Sequence, residues 1–223
     1  HRTLKGDAVA REFAGHAADL GVLAYVTQIV PPAVFEAPRL GSICFHPSLL
    51  PRYRGGSAIP WQIIRGERRT GVSVFWVDPG IDTGPLLLQR EAAIGPDDTA
   101  ASLYYDTLFE LGVGTVLDAV DLVAAGHPPR LPQDESQASY DPLCRDEHAA
   151  IDWRRPVAEV YNLIRGCDPQ PGAFVLHAGE PVRCFDARRC DAGSAPGRIA
   201  AIDASGLTVG ALGGAIRIGR LRA

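Results

Sequence analysis

The chain has no methionine among its 223 residues, not even at the first position. With an opening stretch that reads as an amphipathic helix, that absence leads us to expect part of a longer chain. Apolar runs are short and broken by charges, Pro or Gly, and none approaches the roughly 20 residues needed to span a bilayer. The first ten residues, HRTLKGDAVA, are polar and do not read as a secretory leader. The expectation is a soluble, cytoplasmic protein with no membrane partner. The five cysteines fall at irregular spacings without a CxxC pair, which argues against a structural zinc site and for reduced thiols. Basic residues are scattered and the net charge is −4, whereas a strongly electrostatic nucleic-acid binder shows a basic patch. No GxGxxG follows any candidate strand, so a dinucleotide-dependent oxidoreductase is disfavoured.

What is present is an alternation of strands and helices. Val9, Phe13, Ala17 and Leu20 fall at helical spacing, so the pattern predicts a helix from Asp7 to Leu20, closed by Gly21. VLAYVTQIV at 22–30 reads as a strand buried on both faces, stopped by Pro31 and Pro32. SICFH at 42–46 is a second short strand running into the Pro- and Gly-rich PSLLPRYRGG. Ser57 is placed to cap a helix through Ile64. Strands follow at 70–77 and from Pro85, then a helical stretch to Gly126. This order implies an α/β domain with a mostly parallel, Rossmann-like sheet over residues 1–126. Residues 127–147 are polar and Pro-containing and read as a linker. Over 148–223 one helix, VAEVYNLIRG, precedes short β runs separated by Gly-rich turns, the pattern of a small OB-like β-barrel.

Two strand ends carry titratable groups. His46 ends one buried strand just before a rigid loop, and Asp82 sits in DPGIDTG directly after another. The carboxyl edge of an open α/β sheet is where ligands bind, and an imidazole beside a carboxylate is a proton-transfer arrangement. Taken alone, a strand-end His is more often structural, and an Asp between glycines more often shapes a turn. Spacing does not decide between these readings.

The paired motif HPSLLPRYRGG and DPGIDTG resembles the folate-dependent formyltransferase family, and most nearly the hydrolase domain of 10-formyltetrahydrofolate dehydrogenase. TQIVP, GSAIPW, PDDTAASLY, PPRLPQ and IDWRRPVAEVYNLIRG extend the resemblance over nearly the whole chain. It implies that His46 and Asp82 are the catalytic pair acting on 10-formyltetrahydrofolate, without a metal. The formyl group would pass to an amine acceptor, or to water with release of formate; the alternative is methionyl-tRNA formylation, with the C-terminal barrel binding tRNA. The folate would be bound by Gln28, Ile29, Val30 and Pro31 and by Val77, Asp78, Gly80 and Ile81, although core packing accounts equally for Ile29 and Val30. Cys44 occupies the position two before the His, where transferring members carry an Asn that donates to the formyl oxygen. A thiol is a poor donor, so Cys44 is the oxyanion-position candidate that departs from the pattern. Arg52 and Arg54 are candidates for an anionic group or for plain solvation. Trp61 and Trp76 read as packing residues. The family begins with strand–helix units that this sequence does not show.

Overall fold

The computed structural model describes residues 3–191 and 193–223. In chain order the elements are α1 (Asp7–Gly15), β1 (Gly21–Leu23), α2 (Pro32–Phe35), β2 (Ser42–His46), α3 (Ala58–Ile64), β3 (Arg69–Trp76), β4 (Leu86–Ala93), α4 (Ala100–Ser102), α5 (Phe109–Ala124), α6 (Val157–Gly166), β5 (Phe174–His177), β6 (Glu180–Cys190), β7 (Ile199–Asp203), β8 (Gly206–Ala211) and β9 (Gly214–Arg222). A π-helical stretch, Leu103–Leu108, joins α4 to α5. Among the described residues no helix is long and apolar enough to cross a membrane.

The chain forms two compact units. The first holds the residues up to Ala58, Thr70–Ala92 and Leu108–Asp141; the second holds Ile59–Arg69, Ala93–Thr107 and Pro142–Ala223. The segment expected as a linker is hydrogen-bonded structure: Leu131 pairs with Leu86, and Tyr140 bridges Arg54.

In the first unit the sheet order is β1-β2-β3-β4. β1 runs parallel to β2, with Val22 beside Ile43, whereas β3 runs antiparallel to β2, with Ile43 beside Trp76. The α/β class holds; of the mostly parallel sheet expected, the parallel pairing is that of β1 with β2. The apolar run of β3, buried from Thr70 to Trp76, reports cover on both faces and says nothing of strand direction. The core here is Ile43, Val74, Trp76 and Leu87 from the sheet with Ala119 and Val123 from α5. Each aliphatic side chain fully buried there contributes about 1.5–3 kcal/mol. Gly112 allows the close approach of α5: a Cβ on it would lie 2.5 Å from the Phe45 ring.

Two sequence expectations are corrected in this unit. α1 ends at Gly15 instead of Leu20, because Ala17 takes a left-handed φ of 47°. The strand expected over 22–30 ends at Leu23. Tyr25 adopts a φ of 57° and leaves the extended region, and residues 24–29 are exposed. Pro32 does more than stop a strand, since its fixed φ opens the single turn of α2, which buries Val34 and Phe35.

In the second unit all five strands pair antiparallel in the order β5-β6-β9-β8-β7. This is an OB-like sheet that does not close into the expected barrel. α6 lays Val160, Tyr161 and Ile164 onto Ala187, Val209, Ile216 and Ile218. Its amphipathic spacing is the reason it forms where the sequence places it. Cys144 and Cys167 lie 4.0 Å apart, sulfur to sulfur.

Candidate active site

β2 carries His46 into a buried position where its side chain is 7% exposed. The loop beyond it is turned back by hydroxyls. Ser48 Oγ donates to Arg52 O at 2.7 Å, and Ser73 Oγ, from β3, donates to Ser48 O at 2.6 Å. Tyr53 then adopts a left-handed φ of 61°, and its carbonyl oxygen comes within 2.7 Å of His46 Nε2. A carbonyl only accepts, so Nε2 carries the hydrogen and Nδ1 is the nitrogen that exchanges protons.

Asp82 arrives by a different route from the one expected. Because β2 and β3 are antiparallel, their carboxyl ends lie at opposite ends of the pair, and a shared sheet edge does not bring the two groups together. The loop after β3 doubles back instead. Asp78 Oδ1 accepts from Gly80 N at 3.0 Å and from Thr83 Oγ1 at 2.7 Å, an Asx turn. Gly84 passes so near the end of β3 that a Cβ there would lie 1.7 Å from Trp76 O. Asp82 itself takes a left-handed φ of 55°. Its Oδ2 stands 3.5 Å from His46 Nδ1 and accepts from Gly55 N at 2.7 Å.

The hydrogen-bond senses have a chemical consequence. With Nε2 committed as a donor, a neutral imidazole would set a lone pair on Nδ1 against a carboxylate oxygen. The two atoms face each other at 3.5 Å, a separation over which a hydrogen on either one would turn the contact attractive. Cys44 stays a neutral thiol, pushed up to about 12, first by burial and then by the charge of Asp82.

The other residues singled out from sequence are more dispersed. Val77 and Asp78 line a cavity of about 190 Å³ with Phe35, Ser42 and Trp76. Gly80 is exposed, and Ile81 is 44% exposed. Gln28 and Ile29 are exposed, Ile29 to 73%, while Val30 and Pro31 are half-buried. Arg54 is not solvated but 6% exposed, bonded to Glu135 at 2.7 Å and to Gln133. Trp76 packs in the core, with the Arg130 guanidinium 3.7 Å above its ring. Sequence reasoning missed the Tyr53 carbonyl, the Gly55 amide and Gln133. Two are backbone groups with no side-chain signature, and the third lies 51 positions from the loop it touches.

The chain thus joins an α/β unit holding a buried imidazole beside a carboxylate to a small antiparallel β module. The chain belongs to the formyl transferase family: residues 1–117 match Formyl transferase, and residues 144–223 match Formyl transferase, C-terminal domain. It is 45% identical over 184 residues to the mitochondrial 10-formyltetrahydrofolate dehydrogenase of Mus musculus, covering 82% of this chain and 20% of that protein. It is 42% identical over 193 residues to the methionyl-tRNA formyltransferase of Syntrophus aciditrophicus (strain SB), covering 86% of this chain and 62% of that one. The chain thus spans about a fifth of the length of the dehydrogenases it matches. HypX from Aquifex aeolicus, solved in complex with tetrahydrofolic acid, shares the fold with a TM-score of 0.81 and 25% identity, over 96% of this chain and 38% of that one.

Proposed function

We propose that the chain acts on 10-formyltetrahydrofolate, passing its formyl group to water or to an amine acceptor, with His46 and Asp82 as the catalytic pair in the cytoplasm. In this reading residues 1–126 form the catalytic domain and 148–223 an appended β domain. The observation that carries it is the 3.5 Å approach of buried His46 Nδ1 to Asp82 Oδ2. Attack on the formyl carbon forms a C–O or C–N bond and a tetrahedral oxyanion, which an imidazolium stabilises. The nucleophile gives up a proton as N10 of the folate gains one and leaves, and the Asp82 carboxylate is the group we assign to relay it. The cavity beside Val77, Asp78 and Phe35 offers an apolar wall and a carboxylate to a flat heterocycle. Relatives that handle this folate, and a fold neighbour solved with tetrahydrofolic acid, support the assignment.

The test is formate release from 10-formyltetrahydrofolate, with and without candidate amines. His46→Ala and Asp82→Asn are each expected to lower turnover about 10²–10⁴-fold, the usual weight of general acid–base catalysis. Wild-type turnover in both would refute the assignment. Formate released without any amine marks hydrolysis; product only with an amine marks transfer. The match to a methionyl-tRNA formyltransferase favours a second acceptor, the amine of a charged tRNA. That reading requires salt-dependent tRNA binding, and a tRNA affinity that is undetectable at low salt dismisses it.

A further inference from the structure

The polar segment 131–141 is bonded to the backbone of Asp82 and to the turn that anchors His46. Ser139 accepts from Tyr53 N through its hydroxyl at 2.8 Å and from Arg54 N through its carbonyl at 2.9 Å. Those contacts hold the turn whose carbonyl anchors His46. At the other end, Gln133 Nε2 donates to Asp82 O at 2.9 Å and to Gly84 O at 2.8 Å. Its Oε1 accepts from Arg54 Nη2 at 2.8 Å and Arg54 Nε at 3.3 Å. Arg54 is in turn bonded to Glu135 through Nη1 at 2.9 Å and Nη2 at 2.7 Å.

The chemistry permits one orientation of this amide. Turned over, it would set its oxygen against two carbonyl oxygens and its nitrogen against guanidinium N–H groups. Both amide hydrogens are therefore committed to a loop whose central residue holds a left-handed conformation disfavoured for any residue with a Cβ. Arg54 also adjoins Gly55, whose amide binds the Asp82 carboxylate. One side chain thereby braces the backbone of Asp82 and, through Arg54, the donor on its carboxylate.

We propose that Gln133, oriented by Arg54, is a positioning residue that holds Asp82 within reach of His46. The inference rests on the reading of Asp82 as the catalytic carboxylate. Gln133→Glu preserves size and the Arg54 contact but faces two carbonyls with an oxygen that has no hydrogen until it is protonated. Displacing a reacting group by about an ångström costs on the order of 100-fold. The variant's kcat at about pH 8 is expected to fall about 10- to 100-fold with KM for 10-formyltetrahydrofolate unchanged. The ratio of variant to wild-type kcat should climb as the pH falls toward the carboxyl's ordinary range near ~4.3, because a protonated Glu regains one donor. Gln133→Met should show the same loss with no such climb. Wild-type kcat in Gln133→Glu, or a deficit independent of pH, overturns the proposal. If that variant does not fold, wild-type kcat in Gln133→Met overturns it equally. Asp82→Asn in the same assay separates the two levels. If it turns over normally, the reading of the site fails. If it is inactive while Gln133→Glu is fully active, only the positioning role fails.

Discussion

The thiol of Cys44 stands two residues before His46 on β2, and its protonation follows from its surroundings. Burial is the larger cause and the Asp82 charge the smaller, and together they push it up to about 12. A raised thiol pKa leaves little thiolate at neutral pH, so Cys44 is a weak nucleophile there. Alkylation with iodoacetamide at about pH 8, read by peptide mass spectrometry, should leave Cys44 unmodified in the folded protein and label it on unfolding, where a thiol returns toward ~8.5. In Asp82→Asn the labelling should remain slow, because the dominant cause is untouched. Rapid labelling of native Cys44 would mean that the pocket is wetter than its packing implies.

Elements whose pattern is local were legible from sequence. β2 falls at Ser42–His46 and α6 at Val157–Gly166, where apolar spacing and neighbouring Pro or Gly leave little choice. The nearness of His46 to Asp82, 3.5 Å between Nδ1 and Oδ2, matches the expectation that the two side chains meet. What the sequence did not disclose depends on partners far along the chain. The β-branched run after Leu23 has strand composition, but the register with β2 ends at Leu23 and Tyr25 leaves the extended region. The direction of β3, and hence the doubling-back of the Asp82 loop, leaves no mark in an all-apolar strand. The contact of α5 with β2 is also non-local, and Gly112 is its tight point, 2.5 Å from Phe45 if a Cβ were added. Gly112→Val should therefore destabilise the protein by about 1–3 kcal/mol, the range for overpacking. Urea titration would measure this, and an unchanged midpoint would show that α5 can shift without cost.

For the whole molecule, a ligand that binds only the folded form raises stability by about 2.7 kcal/mol at 100 times its Kd. For a chain of this size each kcal/mol moves the melting temperature by about 2–4 °C. Saturating tetrahydrofolate should therefore raise the melting temperature by roughly 5–10 °C. Asp82→Asn should keep that shift while losing turnover, since the role proposed for its carboxylate is chemical and the cavity lining does not include it. Loss of the shift together with turnover would recast Asp82 as a binding group.

The small antiparallel sheet places β9 between β6 and β8. During synthesis, then, β5–β6 and β7–β8 emerge as two separate hairpins with no strand between them. Until Gly214–Arg222 arrives, Ala187 and Val209 lack Ile216 and Ile218, their neighbours in the finished core. A nascent chain halted before that strand would offer sticky, half-made edges to chaperones and proteases. Completion of this sheet accordingly waits on β9.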